Sequence, residues 1–141
     1  MALPRSDALV FFGATGDLAY KKIFPALLAM TRDGELNVPI IGVAHSGWSV
    51  KQLRRRAQDS VKQAAKDSGE KFDKVMFERL AERLQYVDGD YADPDTFAQL
   101  RKALGKAKRP LHYLAIPPSL FGTVVEGLQQ AGFASDARNC Q

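Results

Sequence analysis

Gly13-Ala14-Thr15-Gly16-Asp17-Leu18-Ala19 constrains the fold of this chain more than any other stretch. It follows Ala8-Leu9-Val10-Phe11-Phe12, an uncharged apolar run of strand length, and precedes Tyr20-Lys21-Lys22-Ile23-Phe24, where apolar residues begin to recur at helical spacing. A strand, a glycine turn and a helix in that order form the context in which a backbone can cradle a dinucleotide pyrophosphate. Gly13 permits the tight turn, Gly16 a close approach of backbone to phosphate, and small Ala19 close packing of helix on strand. The helix start offers unpaired N–H groups and a positive dipole end to an anion.

The rest of the chain alternates in the same way. A first helix is predicted over 17 to about 32, with Asp17 near its start, Gly34 closing it and Pro25 kinking it about one turn in. Pro39-Ile40-Ile41-Gly42-Val43-Ala44 reads as a strand buried on both faces. His45-Ser46-Gly47-Trp48-Ser49 is a loop, with Ser49 as N-cap of a helix on the Val50, Leu53, Ala57, Val61 and Ala64 stripe, ending near Ser68-Gly69. Phe72, Met76, Leu80 and Leu84 mark another helix. Leu84-Gln85-Tyr86-Val87-Asp88 is a third strand. After the loop Gly89-Asp90-Tyr91-Ala92-Asp93-Pro94, a helix begins at Asp95 or Thr96. Leu111-His112-Tyr113-Leu114-Ala115-Ile116 is a fourth strand, ended by Pro117-Pro118, and Ser119 is positioned to cap a last helix closed by Gly132.

Strands separated by helices imply right-handed crossovers and a parallel sheet. The expected fold is α/β: a doubly wound, mostly parallel open sheet of Rossmann type, stopping after four or five strands. A ligand would bind at the carboxyl ends of the strands, the edge that also carries the glycine loop.

Composition narrows the function classes. The chain has 141 residues with 45% hydrophobic and 26% charged residues, as in a single globular domain. No apolar run reaches membrane-helix length, and the start Met1-Ala2-Leu3-Pro4-Arg5-Ser6-Asp7 has no signal-peptide core, which argues against export. A lone Cys140 suits a reducing cytoplasm, the expected location. Net charge is +4, and the one dense basic run, Lys51-Gln52-Leu53-Arg54-Arg55-Arg56, should place most of its charge on a solvated helix face. Without aromatic platforms it does not indicate nucleic acid, though it could attract an anionic cofactor. One cysteine and two histidines make no metal-site spacing, and Asp88, Asp90, Asp93 and Asp95 read as turn and cap residues. Trp48 could stack on an adenine or cover the helix that follows.

Gly13 to Pro25, including the proline inside the helix, resembles the opening signature of glucose-6-phosphate dehydrogenases. Ile41-Gly42-Val43-Ala44-His45-Ser46, Gly89-Asp90-Tyr91 and Tyr113-Leu114-Ala115-Ile116-Pro117-Pro118-Ser119 follow in the family's order, so the resemblance spans residues 8 to about 137. It implies that residues 1–141 are the dinucleotide-binding domain of a longer two-domain enzyme. The enzyme would pass hydride from C1 of glucose 6-phosphate to NADP, giving 6-phosphogluconolactone in the pentose phosphate pathway. It further implies a coenzyme site of Gly13, Ala14, Thr15, Gly16, Asp17, Leu18, His45, Ser46, Asp90, Tyr91, Ala115, Ile116, Pro117 and Pro118. The pyrophosphate lies on residues 13 to 18, the 2′-phosphate at His45-Ser46 and the nicotinamide by the Pro-Pro corner. Lys22 would point toward the sugar phosphate.

The sequence departs from the family pattern in three ways. His45 stands where many members have the arginine that holds the 2′-phosphate, which leaves NAD open as a second coenzyme. The acid that would hold a ribose 2′-hydroxyl at the end of the second strand is absent, which favours NADP. Tyr20 stands at a position that is often lysine. The family's substrate domain, with its histidine base, is not in this sequence, so no catalytic residue is expected here, and His112 inside a strand is read as structural. The alternatives are a dinucleotide-binding module without catalysis and a fragment of a short-chain NAD(P) reductase. The second lacks its Tyr-x-x-x-Lys pair, since none of Tyr20, Tyr86, Tyr91 and Tyr113 has lysine four residues on.

Overall fold

A computed structural model describes residues 6–133. Cys140 and the remainder of 134–141, like residues 1–5, lie outside the described residues. Four strands form one parallel sheet: β1 (Ala8–Phe12), β2 (Ile40–Ala44), β3 (Leu84–Asp88) and β4 (Pro110–Leu114), in the spatial order β3-β2-β1-β4. This is the doubly wound arrangement expected from the alternation of strands and helices. The order reverses between β1 and β4, so the chain leaves β1 at the switch point where such sheets open a crevice.

Side-chain alternation along β1 assigns the two faces. Leu9 and Phe11 join a core with α1 (Phe24–Arg32), α2 (Val50–Ser68) and α3 (Lys74–Arg83). Ala8, Val10 and Phe12 face the other core, with α4 (Pro94–Leu104) and α5 (Phe121–Gln130). Helices on both faces leave every residue of β1 and β2 buried, whereas the edge strands β3 and β4 each keep exposed or half-buried positions. That is why the first two strands read as continuous apolar runs and the last two do not.

Where Pro25 predicts a kink, a π-helical turn, Ala19–Ile23, stands immediately ahead of α1. The Phe24 N–H reaches the Ala19 carbonyl five residues back. Widening the helix there accommodates a residue that has no N–H and whose ring crowds the preceding turn. Lys22 lies on this turn and is exposed.

Caps follow the sequence with two corrections. Ser49 caps α2 in a reciprocal pair with Gln52, and Gly69 closes it. Helix α4 begins earlier than expected: Asp93 is its cap, accepting from the Asp95 N–H at 3.0 Å, because Pro94 needs no N–H at the first helical position. Ser119 does not cap α5. The Pro117-Pro118 corner already winds Pro118–Leu120 into a 3₁₀ turn, so Ser119 lies inside it and Leu120 precedes α5 without a side-chain cap. Strand β4 also ends earlier, at Leu114, because its partner β1 turns away at Gly13 and the last bond between them runs from Ala115 N–H to Phe12 C=O.

Candidate functional site

The glycine turn is stitched to the ends of both neighbouring strands. The N–H groups of Gly13 and Ala14 donate to the Val43 carbonyl at 2.8 and 3.2 Å, and the Gly16 N–H to Gly13 C=O at 3.0 Å. Gly13 has φ of +84°, and a Cβ there would fall on the Ala115 carbonyl and against Ile116. Only glycine satisfies both the left-handed backbone and the contact with the β4 end. Ala14 is buried and packs where β2 passes at Gly42. The first bond within the following helix is from Tyr20 N–H to Gly16 C=O at 3.1 Å. The N–H groups of Asp17, Leu18 and Ala19 therefore precede the helical ladder, at the positive end of the helix dipole. Asp17 is exposed, with the Arg56 guanidinium 3.9 Å away, and Leu18 is an exposed apolar residue.

Beside this turn lies the loop after β2. Thr15 Oγ1 and Ser46 Oγ are hydrogen-bonded at 2.7 Å, which joins the two loops. Asp88, the last residue of β3 and the register partner of Ala44, holds the β2 loop from the other side. Its Oδ1 accepts from Ser46 N–H at 3.0 Å, Gly47 N–H at 2.8 Å and the Tyr86 hydroxyl at 2.5 Å. Desolvation works to raise the Asp88 pKa, but the Tyr86 hydroxyl, the two N–H groups and the charge of His45 outweigh it and hold the carboxyl below the usual range. Tyr86 is pushed up, first by desolvation and then by its bond to the carboxylate. His45 itself is exposed.

The remaining neighbours are Tyr91 and the Pro-Pro corner. The Tyr91 hydroxyl accepts from Gly13 N–H at 2.8 Å and donates to Val43 C=O at 3.2 Å, while its ring meets Phe12 edge-on. Burial raises its pKa. Tyr91 thus braces the glycine turn from beneath. Asp90 turns the chain: its carboxylate accepts from Ala92 N–H at 2.9 Å and its carbonyl from the Thr96 hydroxyl at 2.7 Å. Ala115 is buried, Ile116 half-buried over Gly13, and Pro117 and Pro118 are exposed at the mouth of the crevice.

Over residues 10–141 the sequence matches the family described as "Glucose-6-phosphate dehydrogenase, NAD binding domain". The chain belongs to that family. It is 44% identical over 133 residues to glucose-6-phosphate 1-dehydrogenase 1 of Mycobacterium tuberculosis, covering 94% of this chain and 28% of that protein. Against glucose-6-phosphate 1-dehydrogenase of Dickeya dadantii the identity is 34% over 131 residues, covering 88% of this chain and 25% of that protein. Among solved structures, glucose-6-phosphate 1-dehydrogenase from Mycobacterium avium superposes with a TM-score of 0.84 at 43% identity, over 96% of this chain and 28% of that one. A glucose-6-phosphate dehydrogenase in complex with glucose 6-phosphate superposes with a TM-score of 0.76 at 31% identity, over 93% of this chain and 28% of that one. The chain spans about 28% of the length of the relatives first named here.

The residues present fit the dinucleotide of a glucose-6-phosphate dehydrogenase coenzyme domain. A side chain at 13 would close the gap between β1 and β4, and the N–H groups ahead of the helical ladder have no helical acceptor. Residues 13 to 18, 45–46, 90–91 and 115–118 come together at one sheet edge. His112 does not join them: it is fully buried between the rings of Phe12 and Phe133, and neither ring nitrogen has a hydrogen-bond partner among the described residues. Burial lowers its pKa to about 4, so at neutral pH it is an uncharged core residue. Among the described residues no group of His, Cys, Asp and Glu gathers to hold a metal, and no helix is long and apolar enough to cross a membrane.

The basic run and Asp88 differ from expectation. The basic run is only partly a solvated face. Arg54 donates to the carbonyls of Ala81 and Leu84 at 3.0 and 3.2 Å, and Arg56 lies over the ring of Tyr20 at 4.6 Å and near Trp48 at 5.9 Å. Trp48, half-buried, covers α2 through Arg56, while the Tyr20 hydroxyl donates to Asp59 on the same helix. Asp88, read as a turn residue, is instead the anchor of the β2 loop. No local signal marks that role, because the loop N–H groups it holds are 41 and 42 residues away and meet it only through the β2–β3 register.

Proposed function

We propose that residues 1–141 form the NADP-binding domain of a cytoplasmic glucose-6-phosphate dehydrogenase. The observation that carries this reading is the meeting of two loops at the switch point. The glycine turn presents N–H groups that have no helical acceptor, and Thr15 hydrogen-bonds Ser46 beside it at 2.7 Å. In this reading Thr15, Asp17 and Leu18 hold the pyrophosphate through backbone N–H groups, Gly16 lets the backbone approach it closely, and Gly13 and Ala14 shape the turn beneath it. Thr15, His45 and Ser46 receive the 2′-phosphate, with His45 standing in for an arginine. Asp90 and Tyr91 support the turn from the β3 side, and Ala115, Ile116, Pro117 and Pro118 line the nicotinamide side. Lys22, exposed on the π-helical turn, is directed to the phosphate of the sugar.

The coenzyme supplies a hydride acceptor for C1 of glucose 6-phosphate. This chain supplies its orientation and the exclusion of water from one face. His112 is buried and uncharged, so it offers no proton acceptor for the sugar. That favours a binding module whose chemistry needs the remainder of a longer enzyme. Titrating the purified chain with NADPH and NADH, with a parallel assay of glucose 6-phosphate oxidation, tests both points. Binding of NADPH ahead of NADH without turnover is expected. Turnover would overturn the module reading, and failure to bind either nucleotide would overturn the coenzyme reading.

A further inference from the structure

Asp88 occupies an unexpected place for an acid. In a site that receives a 2′-phosphate, the N–H groups of the loop after β2 are natural anion donors. Here the N–H groups of Ser46 and Gly47 both point at Asp88 Oδ1, at 3.0 and 2.8 Å, and the Tyr86 hydroxyl fixes the same oxygen at 2.5 Å. An incoming phosphate therefore meets the hydroxyls of Thr15 and Ser46 with a carboxylate already behind them. The same carboxylate keeps the loop in the form that lets Ser46 reach Thr15.

We propose that Asp88 is a specificity-determining residue that orders the 45–47 turn and whose charge weakens binding of a 2′-phosphorylated coenzyme relative to one with a free 2′-hydroxyl. The proposal rests on the coenzyme reading above. The sign follows from electrostatics: a phosphate near pH 7 carries close to two negative charges, and its repulsion by a fixed carboxylate several ångströms away is mostly absent for a hydroxyl. In a largely aqueous setting that corresponds to about fivefold in relative affinity. It shrinks as salt shortens the screening length.

The two roles of Asp88 separate by substitution. Asp88→Asn keeps an oxygen to accept from Ser46 and Gly47 and removes the charge. Asp88→Ala removes both. Tyr86→Phe keeps the charge and loses one donor. The dissociation constants of NADP and NAD are measured by calorimetry on the purified chain at low and high salt. Amide exchange of Ser46 and Gly47 is measured without nucleotide, and thermal melting checks that each variant folds. We expect Asp88→Asn to shift the ratio toward NADP by about fivefold at low salt and less at high salt. Its two amides should stay protected. Asp88→Ala should lose that protection, and Tyr86→Phe should leave the ratio unmoved. Equal changes for both nucleotides in Asp88→Asn, a shift toward NAD, or protected amides in Asp88→Ala would overturn the proposal. Those failures all require a wild-type chain that binds. A wild type that binds neither nucleotide ends the coenzyme reading itself, and this proposal with it.

Discussion

His112 makes the stability of this domain depend on pH in a way that one substitution isolates. The ring is fully buried between Phe12 and Phe133, with no hydrogen-bond partner among the described residues for either nitrogen. Burial disfavours the imidazolium and lowers the pKa to about 4, against about 6.5 for a free histidine. The unfolded chain therefore binds a proton as pH falls through about 6.5, while the folded chain stays neutral until about 4. Above the unfolded value His112 adds no pH dependence. Below it stability falls, by about 2 kcal/mol at pH 5 and about 3 kcal/mol at pH 4. His112→Leu puts an apolar side chain of comparable size in the same place and has nothing to protonate. It also removes two unsatisfied nitrogens, so at pH 7.5 it should match the wild type within about 1 kcal/mol or exceed it. Urea unfolding of both proteins at pH 7.5 and pH 5 reads the effect as a difference of differences, in which the carboxylates common to both cancel. The stability of the variant relative to the wild type should rise by about 2 kcal/mol on going to pH 5. A relative stability that does not change with pH would refute the reasoning, since it would mean that the ring protonates in the folded state as readily as in the unfolded one.

Two further substitutions probe the glycine turn. Gly13→Ala forces a side chain onto the Ala115 carbonyl at a φ of +84°, and should cost at least about 2 kcal/mol by thermal or urea melting and abolish nucleotide binding. A variant that melts like the wild type would show that the turn tolerates a Cβ. Tyr91→Phe removes the hydroxyl shared by Gly13 N–H and Val43 C=O but leaves Gly13 bonded to Val43. It should lose about 1 kcal/mol of stability and bind NADPH several-fold more weakly, whereas unchanged affinity would remove Tyr91 from the support of the site.

How much was legible in the sequence depended on the range over which each interaction acts. The strand–glycine–helix opening, the buried runs of β1 and β2, and the Ser49–Gln52 cap are written in residues next to or near one another, and periodicity and turn chemistry sufficed. The start of α4 and the place of Ser119 differ from local expectation because a proline at a helix start competes with the local cap preference. Arg54 and Arg56 looked like a solvated face because their acceptors and ring partners lie on other elements.

By itself the sequence determined the α/β class, the sheet edge that carries the glycine loop, and membership in a dehydrogenase coenzyme-domain family, since all three reside in local patterns and their order along the chain. Only the tertiary structure decided that Tyr91 braces Gly13, that Asp88 anchors Ser46 and Gly47, and that His112 sits uncharged between two rings. The physical reason is register. Parallel strands bring residues dozens of positions apart to the same level of one sheet, and a carboxylate or hydroxyl acquires its role from the donors it meets there.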